Sequence, residues 1–143
     1  MKLTQITKTF LILATLTLAA ACGSPKTSTP TPGQTLPSIA GSWAGSINLQ
    51  GETPNLTLVL TEDALGNLTG TASSTSGCSF SLPVSGAIYS NYSFSVQTAD
   101  PTTLLLAGSL SNNNVDAQGS INLGNGTDCG PANGAPFALG RGR

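Results

Sequence analysis

Histidine is missing from all 143 residues, and charge of either sign is scarce: 5 basic and 6 acidic residues make up 8% of the chain. Average globular proteins carry roughly 25%. Without an imidazole, the side chain most often used for acid-base chemistry near neutral pH is gone. That work would fall to Glu52, Glu62, Asp63, Asp100, Asp116 and Asp128, most of them in expected turns. Turn carboxylates cap backbone N–H groups or face water. Glu62 and Asp63 are adjacent, so on a strand they would point to opposite faces rather than form a carboxylate pair. Ser85 and Gly86 lack the G-x-S-x-G setting and the base of a nucleophile elbow. No enzyme is expected. Basic residues are absent from the whole stretch between Lys26 and Arg141, so the body cannot offer the positive surface that displaces counterions from phosphates. Nucleic acid is therefore excluded as a partner.

Metal ligands are equally scarce. Two thiolates without histidine or a second cysteine pair fall short of zinc's four ligands. Asn112, Asn113, Asn114 and Asp116, and separately Asn125, Thr127 and Asp128, carry oxygens but follow no EF-hand order and suit hairpin turns better. Neither a cofactor nor a metal is expected. Asn55, Asn67, Asn91 and Asn125 open N-x-Ser/Thr sequons, which matter only in a host that glycosylates them.

The one long apolar run stands at the start. Lys2 and Lys8 precede Phe10–Leu18, and the small residues Ala19, Ala20 and Ala21 precede Cys22. This is the three-part layout of a secretory signal peptide. A membrane span needs about 20 apolar residues, and Thr15 and Thr17 interrupt a run that is already too short. LTLAAAC, residues 16–22, resembles the lipobox of bacterial lipoproteins, although Ala19 stands where that family more often has Leu. The resemblance implies cleavage before Cys22, acyl chains on that cysteine, and a lipid anchor in the bacterial cell envelope. Gly23, in place of an aspartate retention signal, points to the outer membrane. An ordinary signal peptide with Cys22 merely nearby is the alternative.

Residues 1–21 are thus expected to be a signal peptide, residues 22–38 a lipidated cysteine with a Pro/Ser/Thr-rich tether, and residues 39–143 one folded domain. Cleavage removes Lys2 and Lys8. Lys26, Arg141 and Arg143 then face six acids, a net charge near −3. Of 3 cysteines, lipidation takes Cys22 and leaves Cys78 and Cys129, an even pair in an oxidising compartment. A disulfide is expected between them.

From Ile39 onward, apolar residues recur with a period of two between clusters of Gly, Asn, Ser, Asp and Pro, the signature of half-buried strands. The inward positions read Trp43, Ile47 and Leu49; Leu56, Leu58 and Leu60; Leu68, Gly70 and Ala72; Phe80, Leu82, Val84, Gly86 and Ile88. They continue with Tyr92, Phe94 and Val96; Leu104, Leu106 and Leu110; Val115, Ala117, Ile121 and Leu123; Phe137 and Leu139. Pro83 points outward and marks a bend or an edge. No helical stretch is long enough to cover a sheet, so the strands must bury one apolar face against one another. The expected fold is all-β, a small antiparallel up-and-down barrel of about eight strands, with a β-sandwich as the alternative.

Gly41, Ser42 and Trp43 form a GxW on the first strand, and Arg141 shares the parity of Phe137 and Leu139 on the last. This resembles the calycin superfamily, barrels of the lipocalin and avidin type. The resemblance implies that Trp43 plugs one end of the barrel and that Arg141 lies across it, a cation-π contact of about 0.5–2 kcal/mol. Ser85, Gly86, Ala87, Ile88 and Tyr89 also resemble the SGxxY stretch of membrane-bound lysozyme inhibitors, with Ile88 where that family has a basic residue. The leading expectation is a non-enzymatic, membrane-anchored binding module whose partner is a protein or polysaccharide. A calycin-like carrier of a small apolar ligand is the rival, and a lysozyme-inhibitor-like protein a more distant one.

Overall fold

The computed structural model of the protein describes residues 35–142. The expected signal peptide, Cys22 and most of the tether lie outside the described residues. Eight strands follow in order: β1 (Gly41–Ile47), β2 (Asn55–Glu62), β3 (Asn67–Ser74), β4 (Phe80–Ile88), β5 (Ser93–Gln97), β6 (Leu104–Leu110), β7 (Asp116–Leu123) and β8 (Ala132–Arg141). Each pairs antiparallel with the next, and β8 returns to β1, with Trp43 opposite Arg141 and Ile47 opposite Phe137. The sheet closes on itself, which replaces the sandwich alternative with an up-and-down barrel.

The alternation of the sequence explains the closure. Trp43, Ile47, Leu56, Leu58, Leu104, Leu106, Ile121 and Val96 are fully buried on the inner face, while Ser42, Thr61, Thr71, Ser81 and Gln118 stand outside. Apolar side chains inside and hydroxyls outside reverse the arrangement of a membrane-spanning barrel, whose outer band faces lipid. An eight-stranded barrel has an interior just wide enough for side chains to fill. Phe94 and Phe137 meet there with ring centroids 6.4 Å apart at 59°.

Three expected inward residues lie beyond the strands they were assigned to. Tyr92 sits in the β4–β5 turn with φ of 66°, outside the strand, yet is half-buried and packs against the core as its parity predicts. Val115 is 45% exposed in the β6–β7 turn. Leu49 leaves β1 for a small hairpin in which it bridges Glu52. Pro83 is exposed, in the half of β4 that β5 does not reach. That gives it an edge inside a closed barrel, where a missing N–H is tolerated.

Candidate functional site

The two ends of the barrel differ. At one end the chain enters and leaves. Leu36 packs over Gly66 of the β2–β3 turn, Pro37 and Ile39 are buried, and the segment crosses the mouth before β1 begins. Leu36, Pro37 and Ser38, tether by composition, are thus packed on the barrel. Three side chains hold this strap. The Glu62 carboxylate accepts from the Ile39 N–H at 3.0 Å and the Ser38 hydroxyl at 3.1 Å. The Trp43 indole N–H donates to the Ile39 carbonyl at 2.8 Å. Arg141 donates from its guanidinium to the Ser38 carbonyl at 2.8 Å.

The Arg141 guanidinium carbon also lies 4.8 Å from the centroid of the Trp43 ring. Gly41, at the start of the GxW, has φ of +126°, a conformation that only glycine adopts readily. It turns the strap into β1. Gly41, Trp43 and Arg141 therefore form a stopper at this end, with a structural rather than a chemical arrangement: the indole and the guanidinium hold backbone.

The other end carries the cysteines. Cys78, before β4, and Cys129, before β8, stand at disulfide distance, with Cα atoms 4.8 Å apart. The loops here are knotted by side chains. Asn55 accepts from Thr75 N, Ser76 N and the Ser74 hydroxyl at 2.7–3.1 Å, and Ser74 also donates to the Cys78 carbonyl at 2.9 Å. Thr98 bonds the Asp100 carbonyl and receives the Leu104 N–H at 3.2 Å. A half-open groove of about 660 Å³ lies between residues 48–52 and the start of β8, bordered by Asn48, Gln50, Glu52 and Asn133. A shallower one of about 470 Å³ runs over the outer face of β3, β4 and β5, where Ser85, Gly86, Ala87 and Tyr89 line it with Asn67 and Gln97.

The acids do not converge. Asp63 accepts from Leu65 N and Asn67 N, both at 2.9 Å, and from the Asn67 amide at 2.7 Å. Asp100 accepts from Thr102 N at 2.9 Å and the Thr102 hydroxyl at 2.7 Å. These bonds, led by the side chains of Asn67 and Thr102 respectively, hold both carboxyls below the usual aspartate range. Asn112–Asn114 and Asn125–Asp128 sit in turns, and Asn113 accepts from the Ser111 hydroxyl at 2.5 Å. Among the described residues no group of three or more His, Cys, Asp or Glu side chains is placed to hold a metal ion.

Sequence reasoning named the stopper residues and the cysteine pair but missed the strap-holding role of Glu62 and the groove beside β8. The signals for these were an acid on the inward parity after Leu60 and a proline beside Phe137. Comparison with protein-family models, with curated proteins and with solved structures gives no match for this chain.

Proposed function

We propose that this protein is a lipid-anchored component of the bacterial cell envelope, held at the outer membrane by acyl chains on Cys22. Its calycin-like barrel is a non-enzymatic binding module that meets its partner on the outside. The observation that carries this reading is the filled interior. Twenty-one apolar residues form one buried cluster contributed by all eight strands, with Ile39 closing one mouth. Ligand carriers keep a concave pocket with a few polar groups inside to orient the cargo. Here Trp43, Phe94 and Phe137 take that space, and the Trp43 indole N–H and the Arg141 guanidinium on the stopper donate to the chain's own carbonyls. Only the outer surface, Ser/Thr/Asn-rich and short of cations, is left for recognition of a protein or polysaccharide.

Two measurements test it. Cys22→Ala should abolish incorporation of labelled fatty acid and release the protein from the membrane fraction; unchanged labelling would refute the anchor. Native mass spectrometry of protein purified from its host without denaturation should give the mass of the processed, acylated chain alone. A further small molecule, lost on unfolding, would instead establish the carrier.

A further inference from the structure

The groove at the disulfide end is a gap in the barrel wall, and it has a physical cause. β1 and β8 zip in register from Trp43 opposite Arg141 to Ile47 opposite Phe137. Asn48 and Pro136 come next on the same register. The Asn48 N–H donates to the Pro136 carbonyl at 2.8 Å, but proline has no N–H to return. The ladder stops there. Residues 48–54 swing away into a hairpin closed by the Leu49–Glu52 bridge, while Ala132–Ala135 run on with β7 alone beside them among the described residues.

A bulge widens the gap. Asn133 and Gly134 stand against the single residue Asn122, whose side-chain oxygen takes the Gly134 N–H at 2.7 Å. Bulges bend a strand and end its pairing. The result is the 660 Å³ groove, floored by Leu49, Ala132 and Ala135, which pack on the core. One wall is a strand edge that has no partner on its β1 side among the described residues.

The chemistry of the groove is one-sided. Pro131 and Pro136 remove backbone donors from the β8 wall, and Asn122 occupies that of Gly134. The rim offers the Glu52 carboxylate and side-chain amides, but no cation and no aromatic ring on which a sugar would stack. The four loops at this end, residues 48–54, 75–79, 98–103 and 124–131, contain Glu52, Asp100 and Asp128 and not one Lys or Arg. The sole basic residue among those described, Arg141, is at the opposite end.

An open strand edge recruits an extended chain, and a field of one sign selects and steers a partner of the other. Resting on the binding-module reading above, we infer that this gap takes an extended stretch of a partner polypeptide carrying Lys or Arg side chains. The stretch lies along Ala132–Ala135 and sets a cation against Glu52.

The test is amide chemical-shift mapping on the full-chain protein labelled with nitrogen-15. It is titrated at low salt with a synthetic peptide alternating Lys and Ala, and with the Glu and Ala counterpart as control. Shifts should concentrate at residues 48–52 and 131–136 with the Lys peptide and be absent with the Glu peptide. Glu52→Lys should weaken binding by about tenfold or more and Glu52→Gln by less, as expected for loss of a directly opposed charge. Asp116→Asn, at the opposite end of the barrel where β7 begins beside Gly140, should leave it nearly unchanged. Shifts spread evenly over Asp63, Asp100, Asp116 and Asp128, equal affinity for Glu52→Lys, or groove shifts with a neutral oligosaccharide and none with the Lys peptide would each overturn the inference. Each of these failures leaves the binding-module reading standing, since the bound mass in native spectrometry decides that separately.

Discussion

Asp63 and Asp100 are exposed, yet each organises a turn, Asp63 by accepting three hydrogen bonds and Asp100 by accepting two. A carboxylate in that position is stabilised in its charged form, and its folded pKa falls below the unfolded value of about 3.9. The stability each contributes is therefore present above that value and lost as the pH falls from there through the depressed folded values. The melting temperature should be flat near neutrality and decline once the pH drops below about 5. In the double variant Asp63→Asn, Asp100→Asn that decline should be shallower, since asparagine keeps an acceptor oxygen that does not titrate. Equal slopes in a pH series of thermal melts would assign the acid sensitivity elsewhere. At the same scale, Glu62 shows how position outranks type: it is a turn acid by sequence, yet it lies on the inward parity at the rim and fixes the strap.

Among the strands, β3 and β4 each carry a glycine on the parity of the core, Gly70 and Gly86. A Cβ on Gly70 would run into the Val59 carbonyl, and one on Gly86 into the Ser95 carbonyl. These strands coil so tightly around a narrow barrel that only a bare Cα fits against the neighbouring backbone. Gly86→Ala should destabilise the protein by about 1–3 kcal/mol, read as a lower urea midpoint. Gly140→Ala on β8, with nothing within 4 Å of its added carbon, should stay within about 0.5 kcal/mol. Equal losses would refute the crowding argument. The strands themselves were legible because Leu56, Leu58 and Leu60, or Leu104 and Leu106, repeat at the pleat's own period. Tyr92 and Val115 were placed in strands because that period continues past the last paired residue into turns, where Tyr92 still packs on the core and Val115 does not. Of the groove, only the proline beside Phe137 was legible, not the gap it makes. It depends on which strand lies beside Pro136, and proline on β8 ends a ladder only because β1 is the neighbour that needed its N–H.

For the whole molecule, the asymmetry between the ends decides what holds it shut. One mouth is closed by the strap, with Ile39 buried and Glu62, Trp43 and Arg141 bonded to its backbone. The other, among the described residues, is lined by loops and not by a strap, and the bond between Cys78 and Cys129 ties the entry of β4 to the entry of β8 across it. Closing a loop of 51 residues restricts the unfolded chain by an amount the entropy model puts at about 4 kcal/mol. Reduction should accordingly cost the protein about 2–5 kcal/mol, measured as the shift in denaturant midpoint with and without reductant. Where the loss falls is more informative than its size. If the bond also holds the open end together, amide exchange after reduction should quicken first at residues 75–79 and 124–131 and at the Asn55 knot. Trp43, Leu58 and Leu139 should keep their protection until global unfolding. Uniform quickening would mean that the disulfide acts on the unfolded chain alone. The groove wall from Ala132 onward, three residues after Cys129, would then owe its shape to Pro136 and the β8 bulge and nothing to the cysteines.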